Sequence, residues 1–134
     1  MNFNKTTSYS LNVLNYMAEH DGQRFSAATL HEKLGIPHQY LRHLLTALSK
    51  DGFIKGSRGR DGGFMLNRPC NEIFLADIID AIEGLDVFST CIMGFKACPF
   101  DEKCAMHETW TETRDRIIDL LKTTSLADFK KNSI

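Results

Sequence analysis

Residues 26–66 read SAATLHEKLGIPHQYLRHLLTALSKDGFIKGSRGRDGGFML, and the fold follows from this stretch. Ser26 is a good N-cap for a helix over 27–34, because its hydroxyl can accept one of the unpaired N–H groups of the first turn. Gly35 suits the left-handed position past the helix end. Pro37 suits the first turn of a second helix, where a missing N–H costs nothing. That helix places Tyr40, Leu41, Leu44, Leu45 and Leu48 on a buried side and stops at Asp51-Gly52. Two short helices joined by a tight glycine-containing turn form a helix-turn-helix. Phe53-Ile54-Lys55 then reads as a short strand and Phe64-Met65-Leu66 as its return. Asp61-Gly62 between them is a strong hairpin-turn dipeptide. A helix-turn-helix followed directly by such a hairpin is a winged helix.

Upstream, Tyr9, Val13, Tyr16 and Met17 share one face at helical spacing, which predicts a helix from about Thr6 or Thr7 to Glu19, ended by Asp21-Gly22. Downstream, Leu75 to Glu83 is amphipathic and closed by Gly84. Residues 85–103 read as irregular. A long helix follows from about Ala105 to Lys122, with an apolar seam of Met106, Trp110, Ile117, Leu120 and Leu121. A tail, Leu126-Ala127-Asp128-Phe129, is placed to pack back onto the body. The expected class is mainly α with a small β-hairpin wing.

With 134 residues, 43% of them hydrophobic, the chain can bury a core as one domain, or one domain plus an attached helix. No apolar run reaches membrane-spanning length, and Met1 to Lys5 open no secretory signal. The expected location is cytoplasmic, where thiols stay reduced, so four cysteines read as metal or redox chemistry before disulfides. The formal charge of −1 hides an uneven distribution. From His38 to Arg68 six cations face two anions, a net of +4. From Asn71 to Glu102 seven anions face one cation, a net of −6. Nucleic acid responds to a local basic surface rather than to the total.

The helix over 38–50 is the expected DNA reader, with its N-terminal residues at base edges. Its polar candidates are His38, Gln39, Arg42, His43 and Thr46. Gln39 and Arg42 can pair bidentately with purine edges. Thr46 and Lys50 suit phosphate contacts. In the wing, Arg58, Gly59 and Arg60 place two guanidinium groups at a tip that can enter the minor groove, with a glycine for close backbone approach.

Cys91, Cys98, Cys104 and His107 read C-x6-C-x5-C-x2-H, and the last two straddle the start of the long helix. Negative sulfur is favoured there by the partial positive charge of a helix N-terminus. Structural zinc usually includes a close C-x2–4-C pair, absent here. Wider gaps suit a multi-iron cluster. The ranking from spacing is iron–sulfur first, zinc second and unmetallated thiols third. Cys70 stands apart as a bystander, and His20, His31 and His38 read as surface residues apart from any DNA contact. Trp110 reads as core or dimer interface.

These residues together resemble the Rrf2 family of winged-helix regulators, whose branches include the iron–sulfur regulator IscR, the nitric-oxide sensor NsrR and the iron regulator RirA. The resemblance runs over essentially the whole chain. It is carried by Tyr9, Ile36 to Leu41, Arg58 to Leu66, Ile78 to Gly84, the three cysteines and Ser125 to Phe129. It implies a homodimer joined by the long helix and bound to a pseudo-palindromic double-stranded operator. It implies Cys91, Cys98 and Cys104 as cluster ligands. The Cys104, His107 and Trp110 pattern resembles the IscR branch, which implies His107 as fourth ligand of a [2Fe–2S] cluster, with [4Fe–4S] the other possibility. The first gap holds six residues where that branch has five, Ser8 stands where some NsrR-like proteins carry a ligating carboxylate, and Arg42 stands where the IscR branch has an acidic residue that discriminates operators. The implied division is a DNA-binding unit over 1–84, a cluster-binding loop over 85–104, and a dimerisation helix with tail over 105–134. No substrate pocket or nucleophile–base pair is legible, so neither an enzyme nor a small-molecule substrate is expected. The alternative is a zinc-binding or metal-free winged-helix regulator that senses redox state through its thiols.

Overall fold

The computed structural model describes residues 4–60, 62–88, 91, 93, 95 and 104–129. Helix α1 (Lys5–Glu19) begins slightly earlier than its apolar periodicity, because the Asn4 side-chain oxygen accepts the Thr7 N–H at 2.8 Å. Helix α2 (Ala27–Leu34) is capped as expected by Ser26, which accepts the Thr29 N–H at 3.1 Å. Gly35 closes it at φ 70°, a conformation that glycine adopts without the Cβ penalty. Helix α3 (His38–Lys50) starts just after Pro37, which occupies the cap position and not the first turn.

His31 is not a plain surface residue. Its Nδ1 lies 2.6 Å from the Ile36 carbonyl oxygen, spanning the turn between α2 and α3, and its ring stacks on His38 at 3.9 Å. His20 likewise closes α1, with Nδ1 2.9 Å from the Tyr16 carbonyl and its ring against Tyr16. Tyr40 departs from the expected buried side. Leu41, Leu44, Leu45 and Leu48 fill the inward arc of α3, and Tyr40, a helical step of roughly 100° from Leu41, is left 38% exposed. Its ring meets Tyr9 edge-on at 5.3 Å, and its hydroxyl accepts from Thr6 Oγ1 at 3.4 Å.

The wing is the antiparallel pair β1 (Ile54–Ser57) and β2 (Gly63–Leu66), with Ile54 opposite Leu66 and Ser57 opposite Gly63. The first strand is therefore shifted from the expected 53–55, because the Phe53 N–H is taken by Leu48 O at the end of α3. The connection is also shorter than the expected 56–63, running over 58–62. The Gly62 N–H donates to Gly59 O at 3.0 Å, while Asp61 lies outside the described residues. Phe25 sets this register: it exchanges two backbone hydrogen bonds with Phe64, of 2.9 and 2.7 Å. Only glycine at 63 admits that approach, since a Cβ there would stand 2.9 Å from Phe25 O at φ 142°.

Helix α4 (Leu75–Ile82) opens with Asp77 accepting the Phe74 N–H at 3.3 Å. It borders two apolar clusters. Ile78 joins the larger core with Val13, Leu14, Leu41 and Leu48, while Ala76 and Ile79 join Phe88 and Leu121 in a smaller one. Residues 85–88 are not irregular: Leu85–Phe88 is a 3-10 turn. Asp80 Oδ1 accepts the Leu85 N–H, and burial of the Phe88 ring holds the turn in place. Helix α5 (Met106–Thr123) packs on α4 through Leu121 and the half-buried Ile117 and Ile118. The tail returns as expected, with Leu75 N–H bonded to Thr124 O, Leu126 N–H bonded to Ile73 O, and Leu126 seated in the larger core. The described residues thus form a mainly α winged helix-turn-helix with one long C-terminal helix, and among them no helix is long and apolar enough to cross a membrane.

Candidate functional site

Because four leucines turn inward, α3 turns its polar residues outward. His38, Gln39, Arg42, His43, Thr46 and Lys50 are all exposed. Arg58, Gly59 and Arg60 are exposed at the wing. Gln39, Arg42, His43 and Thr46 line one concavity, joined by Tyr40 and by Thr6 at the start of α1. The sequence reading missed these last two. Their signal was the Tyr40 position itself, one step outside the leucine arc. Thr46 Oγ1 donates to Arg42 O at 2.9 Å, so its proton is committed and its lone pairs face outward. Arg68 belongs to the fold and not to this surface: its guanidinium lies 4.5 Å above the Phe53 ring and its Nε donates to Gly52 O. The outward positive charge of this region therefore rests on Arg42, Lys50, Lys55, Arg58 and Arg60.

Cys104 is exposed just before α5, and its carbonyl accepts the His107 N–H at 3.0 Å. At a separation of three residues the two side chains share a side of the first turn. They line an open concavity with Glu108, Thr111 and Glu112. Cys91 is half-buried, its N–H donates to Phe95 O at 2.9 Å, and the Phe95 N–H donates back to its sulfur at 3.3 Å. Hydrogen bonds to ligand sulfurs are one of the means by which proteins tune iron–sulfur clusters. Cys98 lies outside the described residues. Among the described residues no three metal-ligating side chains converge. The structure therefore brings Cys104 and His107 together, and it does not join Cys91 to them. The chemistry of these donors, two soft thiols and one imidazole, fits iron. Cys70 is buried in the larger core.

The expected seam of α5 divides in two. Leu121 faces α4, whereas Met106 is 47% and Leu120 61% exposed. Met106, Trp110, Thr113, Ile117 and Leu120 recur at alternating intervals of four and three residues, the spacing of a two-helix seam.

A family profile described as "Rrf2: Iron-dependent Transcriptional regulator" matches residues 3–132. The "HTH-type transcriptional regulator IscR" of Xenorhabdus nematophila is 33% identical over 105 residues, covering 78% of this chain and 63% of that relative's length. Among solved structures, the global cysteine regulator CymR (YrzC) of B. subtilis is similar with a TM-score of 0.80 and 26% identity, covering 96% of this chain and 95% of that one. T. potens IscR is similar with a TM-score of 0.75 and 26% identity, covering 96% and 85%.

Proposed function

The chain belongs to the Rrf2 family, and on that footing we propose that it is a DNA-binding transcription regulator whose operator binding is controlled by an iron–sulfur cluster. Helix α3 enters the major groove, where Gln39 and Arg42 read purine edges, His38 and His43 flank them, and Thr46 and Lys50 meet phosphates. Arg58, Gly59 and Arg60 reach the adjacent minor groove. A second copy pairs along the α5 stripe, because exposed Met106 and Leu120 are covered by the same residues of the partner helix. Two recognition helices then meet half-sites about 34–36 Å apart.

Cys91, Cys98, Cys104 and His107 would hold the cluster, with [2Fe–2S] favoured and [4Fe–4S] the alternative. When bound, the cluster supplies a centre that iron supply, redox state or nitric oxide can alter. The chain's own part is mechanical. The observation that carries this reading is the position of α4, one face against the core that seats α3 and the other against Leu121 and against Phe88, which precedes the cysteines in sequence. Phe88, the last described residue before that stretch, ties its entry to α4. Cluster state moves the operator equilibrium only by its differential affinity for the two arrangements. Anaerobic purification followed by visible absorption and iron and sulfide analysis tests the cofactor. A brown protein carrying both supports the reading, and a colourless one with neither overturns it.

A second reading, a zinc-bound or metal-free regulator sensing redox state through thiols, is favoured by the similarity to the cysteine regulator CymR. It predicts zinc or no metal in the same analysis. For the wing, Arg60→Ala is expected to weaken operator binding and to lower the slope of log affinity against log salt by about one. Anisotropy titrations at several salt concentrations check this, and an unchanged slope and affinity remove Arg60 from the interface.

A further inference from the structure

Glu83 caps the C-terminal end of helix α4, and Gly84 at φ 87° then leads into the Leu85–Phe88 turn. The Glu83 carboxylate does not face solvent alone. Its Oε2 accepts the Thr7 hydroxyl at 2.9 Å and lies 3.4 Å from the Asn4 N–H. Thr7 is fully buried, so its hydroxyl has no access to water as a substitute partner. Asn4 is the cap of α1, where unpaired N–H groups concentrate partial positive charge that a carboxylate complements. The residue next to Thr7 is Thr6, whose hydroxyl donates to Tyr40 on α3 inside the concavity lined by Gln39, Arg42 and His43. One carboxylate therefore joins the C-terminal end of α4, ahead of the Leu85–Phe88 turn, to the first turn of α1, and that turn touches the outward face of α3.

We propose that Glu83 is a positioning residue that transmits the state of the cysteine segment to α3, through Thr7 and the first turn of α1. The inference rests on the sensor reading above and adds the route to it. A change in the segment that pulls the end of α4 must either carry α1 with it or break the Glu83–Thr7 bond. Either event alters the support under Tyr40. Helix α4 also meets α3 through the shared core, where Ile78 joins Leu41 and where Tyr9, edge-on to Tyr40, packs against the cluster, so this hydrogen bond is a second, polar connection beside core packing.

The test is the ratio of operator affinities with and without cluster, measured by anisotropy for the unaltered protein, Glu83→Ala and Thr7→Val. Thr7→Val keeps the shape of the buried side chain and removes only the hydroxyl. Melting temperature and the visible spectrum are recorded for each. The expected result is that both variants load cluster normally and that the affinity ratio moves toward one by about threefold to thirtyfold. Glu83→Gln, which keeps an acceptor oxygen, restores part of the ratio. Affinities that fall equally in both cluster states, leaving the ratio unchanged, show a structural role only and overturn the proposal. A ratio of one in the unaltered protein overturns the sensor reading itself, and this route with it.

Discussion

Phe88→Ala should lower folding stability by about 3–5 kcal/mol, the range for deleting a fully buried aromatic ring. Phe88 is 0% exposed and is the largest side chain of the smaller cluster. Ala76 and Ile79 on one side and Leu121 on the other line the space it fills. These residues sit on a helix bonded to the larger core and on α5, so the cluster has little freedom to collapse into the void. The cost is therefore placed at the level of a cavity and not of simple transfer. Urea unfolding at fixed protein concentration measures it, since the stability of a protein that pairs depends on concentration. A loss below about 1 kcal/mol would mean that Phe88 is not the wedge between α4 and α5.

Cys104→Ser should leave the fold almost untouched and remove the cofactor. Cys104 is exposed, so substitution costs stability within about 0.5 kcal/mol. A serine hydroxyl is a poor iron ligand, so the visible absorption of the purified protein is expected to disappear. Operator affinity should then equal that of the cluster-free form, a change of about 5- to 150-fold if cluster and operator are coupled as two-site effectors usually are. Cys70→Ser is the matched control. Its thiol is buried in the larger core, so the same chemical change there should lower stability and leave colour intact. A coloured Cys104→Ser protein with unaltered operator binding would remove Cys104 from the ligand set.

The helix-turn-helix was legible in the sequence because its punctuation is local. Ser26, Gly35 and the leucines of α3 each act within a turn of their own position. The outward residues of α3 followed from the same period. What the sequence hid depends on partners far along the chain. The wing register is set by Phe25, about 40 residues from its partner Phe64, so the hairpin read in isolation gave strands that were too short and a connection that was too long. His31 looked like surface because its partner is a backbone carbonyl across the turn. Phe88 lay in a stretch with no helical or strand period, and only the surface offered by α4 and α5 makes it core. Tyr40 fell on the apolar side of a helical wheel, but the arc was already filled by leucines. The cysteine spacing was legible as a ligand pattern. Its three-dimensional form depends on Cys98, which lies outside the described residues.

The measurement that bears most directly on the account is operator affinity of the same preparation, cluster-loaded and after anaerobic removal of the cluster, at several salt concentrations. The account predicts affinities that differ at least about fivefold at every salt concentration, with both forms folded and paired. Equal affinities across the series, with the cluster verified by its spectrum in one sample and absent from the other, would contradict it.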